Sequence, residues 1–392
     1  MQEISFEGLA IVAVVGFLVP LVLGFFPKLR VPSVVVEIAA GAVIGPSILG
    51  WVHMDEPIRI FSRLGMASLL FLAGLEMEID RLRGGLLRTA LLGILISLAI
   101  SAAFCYTLQA FGVLQSPLFV TIMLASSAIG IVIPLLKDAG EMGTPFGQAI
   151  IVGMSVADFG TVLLLTLLFS AGGGGRLKTL VLLGMVGVLC LLIVAAASRL
   201  GRWERLSKTL ERLQDTTAMI RIRGAAMLLI LFVVLVQHIG LELMLGAFAA
   251  GALLGYVDRD WQTTHPQFQM RLQAVGFGVF IPAFFVASGI QLDFSSLTAG
   301  GSTLVLIPVF FVGLVLIRGV PALVYRKLVG PRLTVVAGLL QAISLPLLVA
   351  GASIGLETGR MSETTAAGII SAGMLSMLFF PSAALVLLQK KL

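Results

Sequence analysis

The chain has 392 residues, 58% of them hydrophobic and 12% charged, with a net charge of +6 and a mean hydropathy of +1.09. A water-soluble domain carries roughly 25% charged residues, so polar side chains are too few to cover a wet surface, and no stretch is polar and long enough to form a separate soluble domain. The basic excess sits in short loops between apolar runs, which excludes a nucleic-acid surface, while two isolated cysteines (Cys105, Cys190) and three scattered histidines exclude a disulfide framework and a Cys/His metal site.

Apolar runs of 18 or more residues recur along the chain, each long enough to cross a hydrocarbon core about 30 Å thick. They predict an all-α, polytopic membrane protein of about 13 transmembrane helices. The helices fall near 8–26, 33–51, 60–78, 88–111, 117–136, 146–171, 178–198, 223–238, 240–257, 272–291, 303–325, 333–355 and 364–388. The first run follows Glu3 and Glu7 without a basic segment, so it reads as a retained helix and not a cleaved signal. The last run ends near 388, so no carboxy-terminal regulatory domain is expected.

Charge sets the expected orientation. With the amino terminus outside, 20 of the 26 lysines and arginines fall on the cytoplasmic side, and Arg59, Arg63, Arg176, Lys178 and Arg360 fall outside. The positive-inside rule then puts the carboxy terminus in the cytoplasm of a multi-pass protein of the cell inner (plasma) membrane. Arg318 is the remaining basic residue, and it lies within a span.

The chain also resembles itself. Gly41-Ala42-Val43-Ile44-Gly45 recurs as Gly251-Ala252-Leu253-Leu254-Gly255, at an offset of 210. Gly74-Leu75-Glu76-Met77-Glu78 matches Gly289-Ile290-Gln291-Leu292-Asp293 at 215, and Pro134 matches Pro346 at 212. A near-constant offset implies a six-helix unit used twice, 1–171 and 223–392, joined by the helix at 178–198. Equivalent helices lie an odd number of spans apart, so the two copies point in opposite directions, as in many secondary transporters.

A bilayer interior penalises charge, by about 2.5–3.5 kcal/mol or more per group. An ionisable residue deep in a span is therefore a functional candidate. Asp158 lies mid-span in Gly153-Met154-Ser155-Val156-Ala157-Asp158-Phe159-Gly160. Glu37 and Glu242 lie nearer span ends, and Glu76, Glu78 and Asp293 at the interface. A single membrane carboxylate that takes either a proton or a hard monovalent cation is the minimum machine for exchange; the plainer role is an ion pair with Arg318. Arg318 cannot shed its proton, so it serves as a fixed counter-charge or snorkels to the interface.

Two spans are interrupted. One reads Ala125-Ser126-Ser127-Ala128-Ile129-Gly130-Ile131-Val132-Ile133-Pro134 and the other Gln341-Ala342-Ile343-Ser344-Leu345-Pro346. Proline and small polar neighbours let a helix open and offer half-helix ends to an ion. Ser126, Ser127, Ser155, Gln341 and Ser344 are therefore candidate ligands or supports for Na⁺ or K⁺ at Asp158, or hydrogen bonds that pack helices.

Val31 to Gly41, Gly45-Pro46-Ser47-Ile48-Leu49-Gly50, Leu70 to Glu78 and Phe280 to Asp293 resemble the monovalent cation:proton antiporter-2 family over essentially the whole chain. The resemblance implies the sodium/proton antiporter fold and a homodimer working by elevator-like alternating access. It implies a core domain of 88–171 plus 303–388 and a dimer domain of 8–78 plus 223–291. It assigns Asp158 as ion carrier, Arg318 as the basic partner, and Ser126, Ser127 and Gln341 to Pro346 as the crossing segments. Relatives usually place Asn, Asp or Gln before that aspartate, where this chain has Ala157; one titratable carrier implies one cation per proton. The expected activity is electroneutral Na⁺/H⁺ antiport without a cofactor, with K⁺/H⁺ exchange or a cation-coupled solute symporter on the same fold as alternatives. No enzyme is expected, because no nucleophile–base pair, HExxH or phosphate loop occurs.

Overall fold

The computed structural model describes residues 5–26, 32–75, 84–169, 219–238, 243–257, 267–291 and 304–389, with the single positions 181, 184 and 187. Every regular element among them is helical. Eight helical stretches of this set have the length and apolarity to cross a bilayer, so the chain is a multi-pass membrane protein. The helices are α1 (Glu7–Phe25), α2 (Ser33–Ile44), α3 (Glu56–Leu75), α4 (Gly84–Ala110), α5 (Pro117–Leu124), α6 (Ile129–Asp138) and α7 (Pro145–Phe169). They continue with α8 (Ile220–His238), α9 (Leu243–Val257) and α10 (Gln267–Val275), which runs through a π turn (Gly276–Phe280) into α11 (Ile281–Ile290). Next, α12 (Leu306–Leu314) passes through a π turn (Val315–Gly319) and a 3-10 turn (Val320–Tyr325) into α13 (Arg326–Gln341). α14 (Leu345–Glu357) and α15 (Glu363–Gln389) complete the set.

Each predicted span has a helical counterpart except 178–198, nearly all of which lies outside the described residues, as do Glu76, Glu78, Glu242 and Asp293. Three expected spans are not continuous helices. The helix expected at 33–51 ends at Ile44, because Gly45 precedes Pro46 and is driven into extended backbone (φ −69, ψ 176). The span at 117–136 is two helices parted by 125–128, and that at 333–355 is parted by 342–344. Upstream of the second break, Gly330 (φ +82) kinks the chain at Gly330-Pro331, which separates the end of one span from the start of the next.

Two compact units are formed, one from Met1–Leu64, Asp80–Thr161 and Pro282–Leu392, the other from Gly65–Ile79 and Val162–Ile281. In the first, α2 lies directly against α11. A Cβ on Gly41 would stand 2.1 Å from the Val286 carbonyl oxygen, and one on Gly289 2.0 Å from that of Ile38. In the second, α9 lies against α3 in the same way: a Cβ on Gly251 would stand 1.9 Å from the Phe71 oxygen, and one on Gly74 2.2 Å from that of Phe248. Only glycine allows backbones so close. These glycines are the repeated ones, and their carbonyl partners obey the same offsets, 210 from Ile38 to Phe248 and 215 from Phe71 to Val286. One glycine joint has been built twice, once in each unit.

Candidate functional site

All the polar residues singled out in the interrupted spans lie within the first unit. α7 starts on a threonine cap, with the Gly147 N–H donating to Thr144 Oγ1 at 3.1 Å and Pro145 at the first helical position. That places Asp158 near the middle of a 25-residue helix, 2% exposed. Its Oδ1 accepts two hydrogen bonds, from the Ser127 N–H at 2.7 Å and the Ser127 hydroxyl at 2.7 Å, and its Oδ2 accepts the Ile129 N–H at 3.4 Å. The carboxylate therefore stands at the amino end of α6, where a half-helix exposes unbonded N–H groups and the positive end of its dipole.

Arg318 is treated in the opposite sense. It lies in the π turn after α12, 2% exposed. Its Nε donates to the main-chain oxygen of Gln341 at 3.3 Å and its Nη1 to Ser97 Oγ at 3.2 Å. Gln341 is the last residue of α13, so the guanidinium faces the negative end of that helix. Each interrupted span thus meets a buried side chain of complementary sign. Arg318 makes no ion pair with Asp158, and it does not snorkel.

The other predicted residues separate into used and unused groups. Ser127 binds Asp158, whereas the Ser126 hydroxyl donates to the Met123 oxygen at 2.7 Å and closes α5. Ser155, Gln341 and Ser344 are buried; among the described residues Ser155 Oγ and Ser344 Oγ have no hydrogen-bond partner, and the Gln341 side chain faces the Tyr325 hydroxyl. α5 packs on α14. There a Cβ on Gly351 would meet Met123 Sδ at 2.5 Å and one on Gly355 would meet Phe119 at 3.0 Å, so the two segments flanking the breaks cross at glycines.

Three contributors escape sequence reasoning. Ser97 receives Arg318, and one turn on, Ser101 donates to the Thr121 oxygen at 2.9 Å and ties α4 to α5. The signal for both was an i, i+4 serine pair in an apolar helix. Tyr325, 2% exposed, sits over Gly153: a Cβ there would stand 2.4 Å from its hydroxyl oxygen and 3.2 Å from Gln341 Nε2. Tyr325 follows Arg318 by seven residues, two helical turns, which could have marked a shared face. Ala157 packs in an apolar cluster with Ala90, Ile94, Ala125, Val152 and Val156.

The sodium/hydrogen exchanger transmembrane family matches residues 11–390. The chain belongs to that family. It is a membrane transporter by descent and not an enzyme. Among its relatives, YjbQ of Bacillus subtilis is 29% identical over 97% of this chain, which spans 63% of that protein's length. The Na(+)/H(+) antiporter of Enterococcus hirae is 30% identical over 68% of the chain and 69% of its own. The solved sodium proton antiporter MjNhaP1 of Methanocaldococcus jannaschii aligns over 98% of both chains with a TM-score of 0.67 and 17% identity, which establishes the shared antiporter fold.

Proposed function

We propose that the protein exchanges Na⁺ for H⁺ one for one, with Asp158 carrying both ions in turn. The observation that carries this reading is the setting of Asp158: a buried carboxylate held by two backbone N–H groups and one hydroxyl at a helix opening, without an ion pair. Those donors fix the position of the carboxyl group, and a hard cation satisfies the oxygen lone pairs that remain. A proton arriving on the same group displaces the cation. Ser155, Gln341 and Ser344 supply further oxygens beside the breaks. Arg318, permanently charged, steadies α13 while Asp158 cycles between charged and neutral.

Several finer points belong to the same reading. The chain is a member of the monovalent cation:proton antiporter-2 branch and forms a homodimer through 8–78 and 223–291. The core segments 88–171 and 303–388 carry the site across the bilayer, and the carboxy terminus is cytoplasmic. With Ala157 in place of a second polar group, one charge moves each way.

The experiment is transport in proteoliposomes under an imposed pH gradient, offering Na⁺, K⁺ and Li⁺ in turn. Asp158→Asn keeps the Oδ1 acceptor for Ser127 and removes the titratable charge, so exchange is lost while the protein still purifies as a folded species. Persistent Na⁺/H⁺ exchange by this variant refutes the site. Activation of the parent protein by a potassium–valinomycin potential refutes the one-for-one stoichiometry, and exchange of K⁺ but not Na⁺ refutes the cation.

A further inference from the structure

A groove of about 360 Å³ lies between the arginine-bearing segment and α13. Gly319 and Gly338 form its floor, Val320, Leu323 and Val335 its walls, and Arg326 one end. The floor is low because the two helices touch without side chains: a Cβ on Gly338 would stand 3.0 Å from the Gly319 oxygen. The walls are lipid-facing, with Leu323 56% and Val335 58% exposed. At the basic end the chain turns through Gly330 and Pro331; Arg326 lines the groove there, and the residue after it, Lys327, is exposed as well. Nearby, Arg332 donates to the Leu387 oxygen and pins this turn to α15.

We propose that the groove is a binding site for an anionic phospholipid. One acyl chain lies along Gly319 and Gly338, and the phosphate meets Arg326 and Lys327. The occupant is an amphiphile and not a wholly apolar molecule because the trough is apolar along its length and cationic only at the end where a span meets the interface. Basic pockets between helices at that depth select acidic headgroups. The site would also matter mechanically. Its floor belongs to the π turn that holds Arg318 and to the helix that ends at Gln341, so a bound chain braces the joint between them.

The test is independent of transport. Protein in mild detergent is loaded from mixed micelles of phosphatidylglycerol and phosphatidylcholine of equal chain length, and retained lipid is counted by native mass spectrometry. The parent retains phosphatidylglycerol in preference. Neutralising one basic residue weakens that preference about fivefold, and Arg326→Gln with Lys327→Gln together more than tenfold. Val335→Trp, which fills the trough and leaves the charges, lowers retention of both lipids. Arg59→Gln, at an exposed basic residue on another span, leaves retention unchanged. Equal retention of the two lipids by the parent, or undiminished phosphatidylglycerol on the double glutamine variant, overturns the proposal. A circular-dichroism spectrum matching the parent's shows that each variant counted is folded.

Discussion

Tyr325 and Gly153 allow a magnitude to be worked out. In Gly153→Ala the new methyl would stand 2.4 Å from the Tyr325 hydroxyl oxygen, about 1 Å inside ordinary van der Waals contact. The ring is 2% exposed and has nowhere to swing, so the strain falls on α7 and on Gln341, whose amide nitrogen would lie 3.2 Å from the same methyl. Overpacking of this kind costs about 1–3 kcal/mol. Tyr325→Phe removes the offending atom; the nearest remaining ring carbon is 3.3 Å away, a misfit of a few tenths of an ångström. The double variant should therefore recover most of the loss, with a coupling energy of about 1–2 kcal/mol. Denaturation of the four proteins in mixed micelles closes the cycle, and Na⁺ transport by each shows whether moving Gln341 disturbs the arginine joint. The reasoning is refuted if Gly153→Ala is as stable as the parent, or if it costs as much in the Tyr325→Phe background.

Other outcomes follow from the same geometry. If proton and Na⁺ compete for Asp158 as proposed, apparent Na⁺ affinity should weaken as pH falls, by up to about tenfold per pH unit where the protonated form dominates; sodium titrations of transport in liposomes check this, and a flat profile would exclude a shared site. Ala157→Asp would bury an unpaired carboxyl among Ala90, Ile94, Val152 and Val156, so it should lose about 3 kcal/mol or more of stability without gaining a voltage response, as measured by denaturation and clamped liposomes. Gly41→Ala and Gly251→Ala force a Cβ to within 2.1 and 1.9 Å of a carbonyl oxygen, so both should lower the unfolding midpoint in detergent to a similar degree; strong loss in one and none in the other would break the equivalence of the two joints.

How much of this was legible in the chain depended on the range of the physics involved. Span length and apolarity are local properties, and so the helices and the scarcity of mid-span charge could be read directly. Asp158 and Arg318 stood out because burying charge in lipid is costly wherever the fold puts it. The glycine repeats were visible, although their purpose was not: that Gly41 needs the Val286 oxygen and Gly251 the Phe71 oxygen is a matter of which helices meet. The openings show the limit most clearly. The prolines marked the right spans and the wrong residues. Pro346 sits in the first turn of α14, where a missing N–H costs nothing, and Pro134 lies inside α6. The backbone opens at 125–128 and 342–344. At the first opening the Asp158 carboxylate binds the amino end it exposes, and at the second Arg318 binds the Gln341 oxygen. Likewise, residue type alone could not separate Ser127, which serves Asp158, from Ser126, which closes α5. Long-range partners 31 and 23 residues away decide those pairings, and they exist only once the helices have packed.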